Sequence, residues 1–174
     1  MPLLAYALDD PSLPNSTRLT ANSPALQAAF GSPTSLGSVL FERAELPAKL
    51  REFAVLRASQ VYGCRYEWVH HVRIATDAGA TNAQIAAIER GDYRDGCFDE
   101  TEVLVIQLAG EVAADVRGDP ATVEALKTQL SPAALVELVY AIGLWGMLAR
   151  VIETFQVEIE DWAGTVNMSQ RRRA

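Results

Sequence analysis

Residues 47–91 read PAKLREFAVLRASQVYGCRYEWVHHVRIATDAGATNAQIAAIERG, and their punctuation decides the fold. Pro47 suits the first turn of a helix that runs to Tyr62, with Leu50, Phe53, Ala54 and Val61 on or near one stripe. Gly63 breaks it. A second helix runs from about Cys64 to Ala78 and stops at Gly79, a C-terminal glycine. Thr81 caps a short third helix through Ile85 and Ile88 that ends at Gly91. No convincing strand alternation interrupts this pattern.

The same texture continues toward the C-terminus. DYRDGCFD, residues 92–99, reads as a loop. Asp99 opens a long helix past Val103, Ile106 and Glu111 that ends before Gly118, and Asp119-Pro120 restarts one to about Leu130. Ser131-Pro132 begins the last and longest, through LVELVYAIGLWGMLARVIETF. It is apolar almost all round until Arg150, which predicts a central core or subunit-interface helix. Residues 1–35 are rich in Pro, Ser, Asn and Thr without a sustained period. They read as an extended arm with one short helix around Pro24 to Phe30. The organisation expected is an arm over 1–35, a helical domain over 36–165 and a flexible tail over 166–174. The fold class is all-α.

The chain has 174 residues, a single domain's worth, with 15 Lys+Arg against 22 Asp+Glu for a net charge of −7. Apolar residues make up 49 %, which excludes a disordered chain. The acidic balance argues against nucleic-acid and anionic-membrane partners. The one basic cluster, Arg171 to Arg173, sits in the tail. The uncharged apolar stretch Leu138–Ala149 is too short to span a bilayer. The N-terminus lacks the basic region and long apolar run of a signal peptide, so a cytoplasmic location is expected. Cys64 and Cys97 are too few for a disulfide framework, and neither belongs to a C-x-x-C pair.

Chemistry concentrates on the second helix. Cys64, Glu67 and His71 stand at i, i+3 and i+7 and share one face. An imidazole titrates near neutrality, and a carboxylate can hold its tautomer or accept its proton. Spacing alone also fits a polar stripe shown to water. The only two histidines, His70 and His71, point about 100° apart on a helix, so they cannot both face one site. With no third nitrogen or sulfur ligand in register, they are weak evidence for a metal site. No phosphate loop, haem motif or metal triad appears, and no cofactor is expected.

The run LREFAVLRASQVYGCRYEWVHHVRIATDAGATNAQIAAI, residues 50–88, resembles the core of the carboxymuconolactone decarboxylase and alkyl hydroperoxidase D (AhpD-like) superfamily. That pattern has a Glu, eleven residues, then Cys-x-x-Cys-x-x-x-His. Glu52 falls at the glutamate, Cys64 at the first cysteine and His71 at the histidine, while Glu67 replaces the second cysteine. The likeness extends more loosely through the last helix, with its glycine-then-aromatic step near Gly143 and Trp145. It implies an AhpD-like helical bundle assembling as a homotrimer or homohexamer.

The departure at Glu67 weakens the dithiol peroxidase reading, because a sulfenic acid without a neighbouring thiol must wait for an external one. The resemblance then implies a decarboxylase-like enzyme working without a cofactor on a small carboxylated or lactone substrate. His71 would move the proton, Glu52 would orient it, Glu67 would supply a second carboxylate and Cys64 would line the pocket. Arg65, Trp68 and Trp145 are the candidate substrate contacts, with Arg65 or Arg73 available to a carboxylate. Two alternatives stay open: a thiol peroxidase or reductase using Cys64, which a depressed Cys64 pKa would favour, and a non-catalytic assembly protein on the same fold.

Overall fold

The computed structural model describes residues 1–94 and 96–165. The described residues form helices and their connections, with no strand among them. In chain order these are α1 (Asn15–Thr20), α2 (Pro24–Gly31), α3 (Leu36–Glu42), α4 (Ala48–Tyr62), α5 (Arg65–Asp77), α6 (Asn82–Arg90), α7 (Glu100–Asp115), α8 (Pro120–Leu126) and α9 (Pro132–Phe155).

The helix ends follow the expected punctuation. Gly63 closes α4 at φ 67°, a left-handed conformation that glycine adopts without a Cβ penalty. Thr81 with Gln84, and Asp99 with Glu102, form reciprocal capping boxes at the starts of α6 and α7. Ser131 caps α9 through the Ala134 amide. The expected helix to Leu130 ends instead at Leu126, where hydrogen bonds from Gln129 and Leu130 to the Leu126 carbonyl turn the chain toward Ser131.

Helix α4 is the axis of the molecule and packs against α5, α7 and α9. Its sides serve separate clusters. Leu50, Ala54 and Ala58 meet Val105 and Leu108 of α7 and Leu138 and Ile142 of α9. Phe53 and Leu56 meet Trp68, Ile88 and Ile106. Val55 meets Leu40, Ala141 and Trp145. A helix enclosed on every side must bury whatever it carries, so Arg51 and Glu52 lie in the interior with Phe53.

Helix α9 also differs from its sequence reading. At 24 residues with a window of mean hydropathy 1.7 it is long and apolar enough to cross a membrane, although its uncharged stretch alone is not. Here Leu138, Ala141, Ile142 and Trp145 are core residues against α4, which suffices to explain the composition. An exposed row remains along it: Val136, Val139, Tyr140, Met147 and Val151.

The N-terminal segment is more structured than an extended arm, because it has a partner to fold against. It carries α1 as well as the expected α2, and it docks on the segment that follows α9. The Leu3 amide donates to the Phe155 carbonyl at 2.9 Å, Asn15 Nδ2 to the Glu158 carbonyl at 2.9 Å, and Trp162 Nε1 to the Pro11 carbonyl at 2.9 Å. The expected tail, residues 166–174, lies outside the described residues.

Candidate active site

The turn at Gly63 sets α4 and α5 side by side and antiparallel, which brings Glu52 to His71. Glu52 Oε2 and His71 Nδ1 are 2.6 Å apart, both side chains essentially without solvent contact. The other ring nitrogen, Nε2, lies 3.4 Å from Glu67 Oε2, one helical turn back. Arg51 Nε donates to Glu52 Oε1 at 2.7 Å, and its Nη1 donates to the Leu40 carbonyl at 2.9 Å. Two cations and two carboxylates thus alternate in one buried cluster.

Aromatic rings close the cluster from the side. The Trp145 ring stands edge-on to His71 at a centroid distance of 5.1 Å, and Phe41 stacks more distantly on the imidazole at 6.5 Å. The Arg51 guanidinium lies 4.5 Å from the Phe41 centroid. Beyond them opens a cavity of about 290 Å³, lined by Phe41, Arg51, Tyr66, Glu67, His71 and Trp145 among others. Ser16 and Thr17 of α1 and Phe30 of α2 complete its wall, so the N-terminal segment forms part of the chamber.

Electrostatics polarise this arrangement. Burial by itself lowers the His71 pKa, but the Glu52 charge and hydrogen bond, helped by Glu67, outweigh it and push the imidazole up to about 9. The direction of that shift favours the imidazolium form of His71 between the two carboxylates. Burying ionised groups costs several kcal/mol each unless they are well paired, so a buried cluster of four, of which Arg51, Glu67 and His71 line the cavity, marks a candidate functional site.

Cys64 behaves differently. It caps α5 and packs among Leu19, Tyr66, Ala149 and Ile152. Burial pushes its thiol up to about 12, with a Glu153 hydrogen bond and the charges of Glu67 and Glu153 adding to the effect against the Glu67 backbone amide. That is the reverse of an activated thiolate. Cys64 does not line the His71 cavity; it borders a shallow groove with Arg65, Trp68 and Glu89. Arg65 is exposed and pairs with Glu89 at 3.6 Å, and Trp68 is a core side chain beside Phe53 and Leu56. Arg73 pairs with Asp77 at 3.1 Å on the surface. Of the expected site residues, then, Glu52, Glu67, His71 and Trp145 converge, whereas Cys64, Arg65 and Trp68 do not.

His70 serves a second buried network. Its Nε2 lies 2.8 Å from Glu160 Oε2, while Tyr66 Oη donates to Glu160 Oε1 at 2.6 Å and the Asn15 amide donates to the same oxygen. Burial raises the Glu160 pKa, but these bonds outweigh it and hold the carboxyl below its usual range. The network ties α1 and the segment after α9 to α5. Sequence reasoning did not find Phe41, Arg51 or Glu160: Arg51 was signalled only by adjacency to Glu52, and the other two come from distant parts of the chain.

Comparisons with known proteins agree with this architecture. The model of the Carboxymuconolactone decarboxylase family matches residues 24–105, the span from α2 into α7 that holds Glu52, Glu67 and His71. Over those residues the chain is similar to that family. A protein of unknown function from Agrobacterium tumefaciens, proposed as an antioxidant defence protein AhpD, superposes with a TM-score of 0.70 at 20% identity, covering 80% of this chain and 94% of that one. The debrominase Bmp8 in its apo form superposes with a TM-score of 0.74 at 23% identity, over 91% of this chain and 83% of that one. A cysteine-to-alanine variant of that debrominase, in complex with 2,3,4-tribromopyrrole, gives 0.75 at 22% identity over 91% and 82%. No curated protein sequence matches the chain.

Proposed function

We propose that the protein is a lyase- or isomerase-type enzyme that performs acid/base chemistry without a cofactor on a small carboxylated or lactone compound. The observation that carries this reading is the 2.6 Å Glu52–His71 contact, with the far ring nitrogen turned toward Glu67 at a cavity of about 290 Å³. In this reading Glu52 fixes the imidazole and keeps it protonated, and His71 gives a proton to the carbanion or enolate that forms. For a decarboxylation, the C–CO₂ bond breaks heterolytically, CO₂ leaves with no electrons from that bond, and the carbanion takes the His71 proton, which solvent replaces. For an isomerisation, one proton leaves a substrate carbon and one returns elsewhere, with no net change. Aromatic walls and burial exclude the water that would otherwise quench the carbanion.

The alternative, a peroxidase or reductase using Cys64, is disfavoured by the raised thiol pKa and by the separation of Cys64 from the cavity. The likeness to a debrominase seen with 2,3,4-tribromopyrrole supports a small, flat ligand here. The chain is also proposed to self-associate through the exposed apolar row on α9, as its superfamily resemblance implies. The test of the enzymatic reading is turnover of a panel of small lactones and β-keto acids by the wild-type, His71→Ala and Cys64→Ala proteins. Activity that disappears with His71 and survives loss of Cys64 supports the proposal. The opposite pattern, or no activity on any panel member, refutes it.

A further inference from the structure

The side chains that face the chamber are nearly closed to solvent. His71 is 1% exposed, and Arg51, Tyr66, Glu67 and Trp145 are buried with it. Passage of a ring-sized ligand to His71 therefore needs part of the wall to move. Much of that wall belongs to the core: α5 and α9 pack on α4, and Arg51 ties α3 to α4 through the Leu40 carbonyl. Another part is N-terminal, with Pro14, Ser16 and Thr17 at α1 and Phe30 of α2. Of residues 1–31, Asn15 and Leu19 alone are buried.

Those few anchors hold a segment that is braced within itself. Arg18 Nε donates to the Leu8 carbonyl at 2.9 Å and its Nη1 to Asn15 Oδ1 at 2.6 Å. The Ala7 amide donates to the Arg18 carbonyl at 3.0 Å, and Asn22 Nδ2 to the Ala5 carbonyl at 2.9 Å. Attachment to the body is sparser. Leu19 packs with Cys64, Tyr66, Ala149 and Ile152, and Phe30, half-buried, packs on the cluster of Leu40, Leu144 and Trp145. The Asn15 amide donates to Glu160 and the Ser16 amide to Tyr66 Oη at 3.2 Å, beside the bonds to the segment after α9. An element with few buried apolar contacts opens at lower free energy than the core it covers. Residues 32–35 join α2 to α3 and belong to neither helix.

We propose that residues 1–31 are a lid on the His71 chamber, swinging as one piece about residues 32–35 to admit and release a ligand. Closure seats Leu19 against Cys64 and returns the Asn15 amide to Glu160. Opening takes Pro14, Ser16, Thr17 and Phe30 out of the wall together, which bares Trp145 and His71 behind them. The same movement uncovers Cys64, although that thiol lies outside the chamber, because Leu19 packs against it. The lid requires the chamber and not the chemistry assigned to His71, so it stands or falls separately from the acid/base reading.

The experiment follows two covalent probes on the full chain at one fixed pH, N-ethylmaleimide at Cys64 and diethyl pyrocarbonate at His71, each located by peptide fragment mass. A buried group reacts at its free rate multiplied by the fraction of molecules in which it is open. Leu19→Ala removes the side chain that seats α1. Asn15→Pro removes the amide and side-chain bonds of Asn15 at the first position of α1, which proline tolerates. Each variant is expected to speed both reactions by at least about tenfold. Leu126→Ala, in the separate cluster of α7 and α8, controls for global unfolding and is expected to leave both rates within about twofold. Rates unchanged in the lid variants, rates raised equally by Leu126→Ala, or Cys64 accelerated without His71 would each overturn the proposal.

Discussion

His71 is defined by its two neighbours. Glu52 on Nδ1 fixes the tautomer and stabilises the cation, leaving the Nε2 proton to face the cavity. Activity that depends on the imidazolium should hold across neutral pH and fall along an alkaline limb near pH 9. In Glu52→Gln the stabilising charge is gone and burial remains, so the limb in kcat/KM is expected to move down toward or below about 6.5, the ordinary imidazole value. The same shift predicts a stability effect. A raised folded pKa contributes fully below about pH 6.5 and is lost as the pH climbs through about 9, so the stability difference between wild-type and His71→Ala should shrink over that window in urea melts. At Cys64 the opposite electrostatics predict an inert thiol. Brief peroxide exposure should leave its intact mass unchanged, and rapid oxidation there would restore the thiol-enzyme alternative. The spaced Glu52, Cys64 and His71 were legible in the sequence because helical periodicity and a short glycine turn fix their relation. The exclusion of Cys64 from the cavity was not legible, because the N-cap position turns it toward α9 and not toward Phe41.

Among the helices, α4 and α9 hold the site together through close packing. The Gly146 position on α9 faces Tyr62 of α4 so closely that an added Cβ would stand 2.7 Å from the tyrosine oxygen. Tyr62 cannot retreat freely, because the Arg150 guanidinium lies 4.9 Å from its ring centroid and itself donates to the Gly146 carbonyl at 2.6 Å. Gly146→Ala is therefore expected to destabilise by about 1–2 kcal/mol, the overpacking strain exceeding the roughly 1 kcal/mol that alanine gains in a helix. Chemical denaturation checks the sign. The glycine-aromatic step was visible in sequence, but Gly143, the glycine first noted, has open space around it. Which of two helical glycines meets a neighbour depends on the rotation of α9 against α4, a tertiary property. Helix boundaries at Gly63, Thr81, Asp99 and Ser131 were readable because caps act locally. Helices α1 and α3 were not distinguished, since six or seven residues carry too little period to identify and gain their order from docking.

At the scale of the molecule, two features remain to be matched with partners. The exposed row Val136, Val139, Tyr140, Met147 and Val151 is an apolar face of the kind that subunit interfaces cover. Light scattering coupled to size exclusion is expected to give a multiple of 18.9 kDa at micromolar concentration, and Tyr140→Glu to reduce it. A monodisperse wild-type monomer would remove the self-association proposal. The second feature is the closure of the chamber by the chain's own N-terminal segment, pinned through Asn15, Tyr66, His70 and Glu160. A carboxyl held below its usual range contributes stability above that range and loses it on acidification. Wild-type protein should thus lose more stability than Glu160→Gln as the pH falls through and below the ordinary carboxylate value of about 4.3.

In the proposed function a buried imidazolium, not a thiolate, is the reactive group. With only two histidines in the chain, ¹³C-edited NMR can follow the His71 ring directly, the His71→Ala spectrum assigning its signal. Titration of that signal near pH 9 is the predicted result, with the ring cationic at neutral pH. A midpoint at or below about 6.5 would leave the imidazole neutral there and contradict the account.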